Sequence, residues 1–300
     1  MVNCKRCKDK PVYNRLCKSC FLRYFEKKVR KTIREFKLIE KNDKILVACS
    51  GGKDSTSVLY LLKKIFSKRK DLVIEAIAID EGIKEYRDKN LKFLKKFCEK
   101  EDINLYIYSF KKEFKIELDA IIKDEKPCSI CGVLRRKLLN QMAKKLNATK
   151  LVTGHNLDDE CQSILMNQFR RDVKTSARLG PKTGILVDKG FVQRIKPFYL
   201  MLEKEVAIYA FLKGFMQQLN ECPYEKVSYR ADIRDMINNF EQKYPGTKNS
   251  TITSFLEILP VLKKEYKNKG NLKHCKECGE PCSQDICQGC KIIQKLLRKT

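Results

Sequence analysis

The sequence lacks any run of about 18 apolar residues, so we expect no membrane-spanning helix. Its first residues, MVNCKRCKDK, lack the apolar core of a signal peptide, which predicts a cytoplasmic protein that is not secreted. Acidic residues are scarce: 37 aspartates and glutamates stand against 64 lysines and arginines. Hydrophobic residues make up 43% of the 300 residues, enough for a packed core and for about two globular units.

The excess of positive charge, +27, is more than a soluble fold needs. A pI near 9.5 is typical of proteins that bind a polyanion, most often nucleic acid. A lysine-rich, solvated surface without a partner is the plain alternative.

Cysteine is abundant, with 15 residues. Cytoplasmic thiols stay reduced, so paired cysteines indicate metal rather than disulfides. Each end of the chain carries two C-x-x-C pairs, and two such turns complete a tetrahedral four-sulfur site that suits zinc. The candidate ligands are Cys4, Cys7, Cys17 and Cys20 at the N-terminus and Cys275, Cys278, Cys287 and Cys290 at the C-terminus. Cys282 or His274 could replace one C-terminal ligand.

A third C-x-x-C pair, Cys128 and Cys131 in PCSICG, has no second pair nearby, and Cys222 in ECPY is the remaining candidate. Three cysteines from distant segments can hold an iron–sulfur cluster and leave one iron open. They could equally form a redox pair plus a spectator. The other cysteines lie in apolar runs, which is typical of buried side chains: Cys49, Cys98 and Cys161.

A glycine-rich loop, SGGKDS, follows the apolar run 44–49 and precedes a stretch with helical periodicity. Bare backbone amides at a helix N-terminus bind phosphate. The loop does not fit the Walker pattern, but it matches the PP-loop of enzymes that split ATP between the α- and β-phosphates. An ordinary strand-to-helix turn is the plain alternative. The candidate phosphate-binding residues are Ser50, Gly51, Gly52, Lys53, Asp54 and Ser55.

Strands and helices alternate through the middle of the chain, which indicates a parallel sheet covered by helices. The predicted strands are 44–49, 73–79, 104–109 and 150–154, and the predicted helices between them are 83–101 and 129–147. Ligands of such sheets bind beyond the carboxyl ends of the strands. Ser50, Asp80 and His155 each follow a strand, so we expect them to converge on one cleft.

The segment TGHNLDDE places His155 between a strand and a helix. A solvated histidine is the usual interpretation, but this position favours a functional role. Asp158 and Asp159 could cap the helix, or one of them could reach a magnesium ion on a nucleotide.

The flanking segments are predominantly helical. We predict a linker helix over 21–39, a loop-rich, basic segment over 171–200, and helices over 203–213, 228–241 and 249–266. The last three carry basic residues interleaved with aromatic ones, which is typical of an RNA-binding surface.

The ordered set of motifs resembles the tRNA 2-thiouridine synthetases of the TtuA/NcsA type, which include the archaeal and eukaryotic cytosolic wobble-uridine thiolases. The resemblance spans nearly the whole chain. Its motifs are the terminal C-x-x-C sets, SGGKDS, IDEGI at 79–83, PCSICG, GHNLDDE, ECPY and PGTK at 245–248.

The resemblance implies an α/β fold of the PP-loop, HUP-like kind: a parallel sheet with helices on both faces, a C-terminal helical extension and zinc-ribbon modules at both termini. The expected units are an N-terminal zinc finger (1–24), a linker helix (25–42), a catalytic ATP pyrophosphatase domain (43–200), a tRNA-binding helical extension (201–270) and a C-terminal zinc finger (271–300).

The resemblance also implies the site residues. Asp80, Gly154 and His155 would complete the ATP pocket, and Cys128, Cys131 and Cys222 would hold a 4Fe-4S cluster with one open iron. The family's catalytic lysine and aspartate would correspond to Lys137 and Asp159, and the eight terminal cysteines would bind two zinc ions. Magnesium, held by an acidic residue such as Asp54 or Asp159, would clamp the phosphates.

The implied reaction is tRNA thiolation. The uridine C2 oxygen attacks the ATP α-phosphate, pyrophosphate leaves, and sulfide bound to the open iron then displaces AMP. The wobble uridine is the expected target and the T-loop uridine the runner-up. The sulfur donor would be a ubiquitin-like carrier thiocarboxylate or free sulfide, and a homodimer is expected.

Four other readings fit parts of the sequence. Cys128 or Cys222 could carry a persulfide without a cluster. Synthesis of 2-thiocytidine in tRNA uses similar machinery, but the terminal zinc modules argue against it. A zinc-finger RNA-binding protein with an inactive nucleotide fold conflicts with the intact SGGKDS, and a metabolic PP-loop amidase leaves the charge and zinc sites unexplained.

Overall fold

The computed structural model describes residues 3–121, 127–185, 188–216, 222–224, 228–267 and 272–298. Its main sheet has five parallel strands in the order β3-β2-β1-β4-β5. The strands are β1 (Lys44–Ala48), β2 (Val73–Asp80), β3 (Leu105–Ser109), β4 (Lys150–Val152) and β5 (Gln193–Ile195). The parallel sheet predicted from the alternating pattern is confirmed, with slightly different strand bounds.

One strand lies where the sequence predicts loop. β5 falls inside the basic segment 171–200 and pairs with β4 through Leu151 and Arg194. It is only three residues long and contains QRI. Such a segment has too few residues to show the alternation that identifies a strand, and its pairing depends on the neighbouring β4.

Helices connect and cover the strands. They are α1 (Lys18–Glu35), α2 (Lys53–Phe66), α3 (Tyr86–Lys100), α4 (Phe110–Phe114), α5 (Leu118–Ile121), α6 (Pro127–Lys145), α7 (Leu157–Phe169), α8 (Val173–Ser176), α9 (Glu203–Lys213), α10 (Tyr229–Lys243), α11 (Thr247–Lys267) and α12 (Gln288–Leu297). Each helix predicted over at least nine residues is present, with ends that differ by a few residues, and α8 adds a short helix inside 171–200.

Two apolar cores sandwich the sheet, because successive strand residues point to opposite faces. Ile45 and Val47 of β1 join a core formed with α1, α2 and α9. Leu46 joins the other core, which contains Leu134 and Leu138 of α6. Helices therefore cover both faces, as the fold class predicts.

The linker helix α1 packs against α9. Its Phe25 is fully buried and stacks on Tyr209 of α9, with ring centroids 4.3 Å apart. Lys28 of the same helix pairs with Glu205 at 2.8 Å. The helix thus fixes the N-terminal cysteines to the sheet.

The helical extension, α10 and α11, packs on α7 through a third core that includes Leu157, Ile237 and Phe255. A two-stranded ribbon, β6 (Lys273–His274) and β7 (Pro281–Cys282), and α12 form the C-terminal module. No helix among the described residues is long and apolar enough to cross a membrane. The proposed division into five units stays a prediction.

Candidate active site and metal centres

The SGGKDS loop closes on itself between β1 and α2. The Ser55 hydroxyl accepts from the Ser50 amide at 3.2 Å and donates to the Gly52 carbonyl at 3.1 Å. The Ser50 hydroxyl accepts from the Gly52 amide at 3.2 Å. The two serines therefore hold the loop so that the first turn of α2 faces the carboxyl edge of the sheet, where its amides can bind phosphate.

Two glycines are required by close backbone approaches. Gly51 has φ of +83°, and a Cβ there would lie 2.6 Å from the carbonyl oxygen of Asn90. A Cβ on Gly154 would lie 3.0 Å from the Asp54 carbonyl carbon and the Ser55 amide nitrogen. Both glycines allow neighbouring segments to pack directly on the loop.

Lys53 extends from the loop between two carboxylates. Its Nζ lies 3.0 Å from Asp54 and 3.0 Å from Glu203 of α9. Desolvation disfavours its charged form, but the two carboxylates outweigh that effect and raise the pKa of Lys53. The ammonium is thus charged and positioned at the phosphate-binding turn.

Arg87, a residue that sequence reasoning missed, anchors the loop from below. It is 3% exposed, donates to the Ser50 carbonyl at 2.8 Å and to the Ile79 carbonyl, and pairs with Glu81 at 2.9 Å. The available signal was an arginine that follows IDEG by a few residues and lies near the start of an amphipathic helix. Asp80 ends β2 and accepts from the Gly82 amide at 3.0 Å.

The GHNLDDE segment lines the other side of the loop. Asn156 caps α7 and forms a reciprocal capping box with Asp159, and its Nδ2 donates to Asp54 at 3.3 Å. His155 Nδ1 lies 2.8 Å from the Thr153 hydroxyl. The His155 side chain is exposed, but desolvation by the atoms packed around the ring and the charge of Lys196 lower the pKa of His155 below 6.5.

The two adjacent aspartates have different environments. Asp158 is 5% exposed, pairs with Lys248 of α11 and accepts from the Glu203 amide at 2.7 Å. The Asp159 side chain is 32% exposed and lies 3.6 Å from Arg230. Desolvation raises the pKa of Asp159, and it outweighs the hydrogen bond from the Asn156 amide and the charge of Arg230, which both lower that pKa. Asp158 therefore stabilises the contact between α7 and the helical extension, whereas the Asp159 side chain is partly accessible.

The three predicted cluster ligands, Cys128, Cys131 and Cys222, lie near the N-terminus of α6. Cys128 donates to the Tyr224 carbonyl at 3.0 Å, which brings the ECPY segment against the helix. Burial is the main cause that raises the pKa of Cys131 to about 11; the charge of Arg135 opposes it, and Glu81, Cys222 and Cys128 add to it. The three thiols thus lie in the same region of the molecule.

These three thiols do not form a compact ligand group. Cys128, Cys131 and Cys222 are not among the described groups whose ligand atoms all lie within 4.8 Å of one another. Ligands of one zinc ion lie closer together than thiolates bound to separate irons of a cluster. Ligation of a cluster by these cysteines stays a prediction.

Lys137 does not join this site. Its Nζ donates to Cys278 Sγ at 2.9 Å and to Glu280 at 3.0 Å, so the prediction that it is the catalytic lysine is not supported by its contacts. The reason is helical spacing: residues four apart share a face, and residues six apart do not. Arg135 lies four residues after Cys131, pairs with Glu81 at 3.5 Å, and its charge opposes the raised pKa of Cys131.

The terminal cysteines form two compact groups. Within each set of four, all ligand atoms lie within 4.8 Å of one another. Tetrahedral zinc with bonds of about 2.3 Å requires sulfur atoms about 3.8 Å apart. The recorded separations are 3.4 Å for Cys7–Cys17, 3.8 Å for Cys7–Cys20 and 3.8 Å for Cys278–Cys287. Both sets fit a four-thiolate zinc site.

The alternative C-terminal ligands point elsewhere. Cys282 donates to the Gln284 carbonyl at 2.8 Å, and His274 Nε2 faces Asp188 at 4.0 Å. Neither belongs to the converging group among the described residues. The four predicted cysteines are therefore the better ligand set.

The family model for PP-loop domains matches residues 22–239. The chain belongs to the PP-loop domain family. Among PP-loop relatives, a probable sulfurtransferase of Methanocaldococcus jannaschii is 37% identical over 94% of this chain and 82% of that protein. A tRNA-5-methyluridine(54) 2-sulfurtransferase of Pyrococcus horikoshii is 36% identical over 92% of this chain and 87% of that protein.

A solved PP-loop structure is similar over nearly the whole chain. It is the U34-tRNA thiolase NcsA from Methanococcus maripaludis with its 4Fe-4S cluster, with a TM-score of 0.84, 33% identity, and coverage of 99% of this chain and 97% of that one. The resemblance identified from the motifs and the fold class are confirmed. The roles of individual site residues stay predictions.

Proposed function

We propose that this protein is a tRNA sulfurtransferase that replaces the C2 oxygen of a uridine with sulfur at the expense of ATP. One chain of contacts supports this proposal: Arg87 bonds the Ser50 carbonyl and pairs with Glu81. Glu81 pairs in turn with Arg135, whose charge acts on Cys131. This chain of contacts links the proposed phosphate-binding loop to the region of the proposed three-thiol site.

The first step proposed is adenylation. The uridine C2 oxygen attacks the ATP α-phosphorus, the bond to the bridging oxygen breaks, and pyrophosphate leaves with that electron pair. The α2 N-terminus and Lys53 stabilise the leaving charge. Asp54 or Asp159 would hold a magnesium ion, which when bound would neutralise phosphate charge.

The second step is sulfur transfer. Cys128, Cys131 and Cys222 would hold a 4Fe-4S cluster, which when bound would supply the sulfide that forms the new bond to C2. The C2–O bond breaks and AMP leaves with the oxygen. Arg135, whose charge acts on Cys131, is the cation that we propose stabilises negative charge beside the thiols. The similar solved structure, which carries a 4Fe-4S cluster, supports the proposal that this protein binds a cluster.

The helical extension is the proposed tRNA surface. Arg170 stacks over the Tyr229 ring at 4.3 Å, and Lys243 lies 5.3 Å from the Tyr244 ring centre. Tyr244 is 54% exposed. Exposed cation–aromatic pairs of this kind suit a stacked base beside a phosphate, and the +27 charge supplies the long-range attraction.

We propose the wobble uridine, U34, as the target, with U54 of the T-loop as the alternative. The similar solved structure is named as a U34-tRNA thiolase, while the Pyrococcus relative is named for position 54. The carrier thiocarboxylate or free sulfide as donor, the homodimer and the two zinc ions stay proposals. A cytoplasmic site of action agrees with the abundance of cysteine, 15 residues, as proposed metal ligands rather than disulfides.

The test is thiolation of tRNA transcripts under anaerobic conditions with ATP and sulfide, with 2-thiouridine measured by nucleoside mass spectrometry. Transcripts with cytidine at position 34 or at position 54 identify the target. We expect tRNA-dependent AMP release, 2-thiouridine lost only in the position-34 variant, and strong inhibition by Lys53→Met. Lys64→Met, an exposed lysine of the same helix paired with Glu26, is the matched control. Tight tRNA binding without AMP release would instead favour an RNA-binding protein.

A further inference from the structure

The C-terminal cysteine group is fastened to α6 by one buried lysine. Lys137 is 9% exposed, and its Nζ lies 2.9 Å from Cys278 Sγ, 3.8 Å from Cys287 Sγ and 3.0 Å from Glu280. A buried ammonium requires compensating negative charge. Here the compensation comes from two of the four candidate zinc ligands and one carboxylate.

The packing around Lys137 is close. A Cβ on Gly289, between ligands Cys287 and Cys290, would lie 2.5 Å from Lys137 Cδ. Glu280 accepts a second bond, from Asn140 of α6 at 2.8 Å, and its carbonyl accepts from the Cys275 amide at 2.9 Å. The metal ligands and the helix therefore share a connected set of contacts.

The charge balance explains why a cation is needed there. Zinc with four thiolates carries a net charge of about −2, and Glu280 adds another negative charge in the same buried space. An N–H donor to a ligand sulfur stabilises the thiolate and fixes its orientation. Without the ammonium, Glu280 would face the four-thiolate site with no buried cation beside it.

We propose that Lys137 is a positioning residue of the C-terminal zinc site, donating to Cys278 and joining the metal module to α6. The proposal rests on the zinc occupancy proposed above. Cys128 and Cys131 lie in the first two turns of α6. The proposed contact would therefore let the C-terminal metal module stabilise the helix that carries these two thiols. The N-terminal set shows no equivalent among the described residues, since Arg23, which lies 3.5 Å from Cys20 Sγ, is exposed.

Metal release from the Lys137→Met variant tests the proposal. The full-length, zinc-loaded protein is treated with a chelator and a thiol-alkylating reagent, and peptide mapping by mass spectrometry measures the alkylation rate of each cysteine set. We expect the C-terminal set of Lys137→Met to become reactive about 10- to 100-fold faster, with the N-terminal set unchanged. Lys276→Met removes the same charge from the same module at a lysine that is 73% exposed, and it should leave both rates unchanged.

Two further readouts report on the contact itself. In cobalt-substituted Lys137→Met, loss of the N–H···S bond should move part of the thiolate-to-cobalt absorption band to lower energy relative to the cobalt-substituted wild type. The second readout needs no variant. In the wild-type protein, Lys137 should resist amine acylation while zinc is bound and become reactive after chelation. Lys276 should react equally in both states.

The results separate this inference from the zinc proposal. No zinc in the wild-type protein would contradict the proposed zinc sites themselves. Bound zinc with equal alkylation rates in Lys137→Met and Lys276→Met, or with Lys137 acylated equally before and after chelation, would overturn the inference alone.

Discussion

Replacing each of the two adjacent aspartates with asparagine should separate folding from chemistry. Asp158 and Lys248 form a pair whose side chains are 7% and 8% exposed. Asp158→Asn keeps an acceptor oxygen but leaves the buried ammonium with no counter-charge in the pair, since Asn238, its other recorded acceptor, is neutral. Asp159→Asn preserves an oxygen for the capping box and removes a charge from a side chain that is about a third exposed.

The size of the effect follows from burial. Removing one partner of a buried ion pair costs about 3–5 kcal/mol. At about 2 °C per kcal/mol, the low end for domains of this size, Asp158→Asn should lower the Tm by about 6–10 °C. The capping role of Asp159 is worth about 1 kcal/mol or less after this substitution, so its Tm should change by about 2 °C.

The activities should show the opposite order. Asp159→Asn should reduce tRNA thiolation about 100-fold or more while it remains folded, and Asp158→Asn should retain most activity at temperatures well below its Tm. Differential scanning calorimetry and the nucleoside assay give the two quantities. Equal Tm values, or an active Asp159→Asn beside an inactive and stable Asp158→Asn, would refute the assignment.

Three further outcomes are expected. Gly154→Ala places a Cβ 3.0 Å from the backbone of the SGGKDS loop, so calorimetric titration should show ATP binding weakened about tenfold or more. Arg135→Met should slow thiolation about 100-fold and retain bound iron by metal analysis; an unchanged rate would remove Arg135 from the mechanism. Because the pKa of His155 is lowered in the folded state, the unfolded chain binds the proton first, so the free energy of unfolding should fall as pH drops below about 6.5. His155→Gln should lessen that dependence in denaturant titrations, and the His155 ring signals in NMR spectra should not move between about pH 6 and 8.

The central strands were predictable because their signals are local. The apolar run before SGGKDS identifies β1, and the glycines identify a turn that approaches other backbone closely. β5 was missed because three residues cannot show a periodicity, and its pairing comes from β4, far away in sequence. The sequence therefore identifies long or motif-bearing elements and misses those that tertiary contacts create.

The candidate site residues also divide into those with a local sequence signal and those that depend on tertiary contacts. The converging cysteine sets were predictable, since a metal requires a fixed spacing of ligands. The choice between Asp158 and Asp159 was not, because the partner of Asp158 is 90 positions away. Sequence spacing alone did not reveal that Arg135, four residues after Cys131, shares its helix face, while Lys137 contacts Cys278 and Glu280; the catalytic role of Lys137 stays an untested prediction. The buried role of Arg87 likewise depends on carbonyls at two strand ends.

The proposed sulfur transfer requires a cluster held by Cys128, Cys131 and Cys222. The most direct measurement is the iron and zinc content of anaerobically prepared wild-type and Cys222→Ala proteins, with Cys98→Ala, a buried cysteine outside both metal groups, as the control. We predict about four iron and two zinc per chain in the wild type and the control. Cys222→Ala should keep its zinc, lose its iron and form no 2-thiouridine. Wild-type protein that thiolates tRNA without iron, or Cys222→Ala that keeps both iron and activity, would contradict the account.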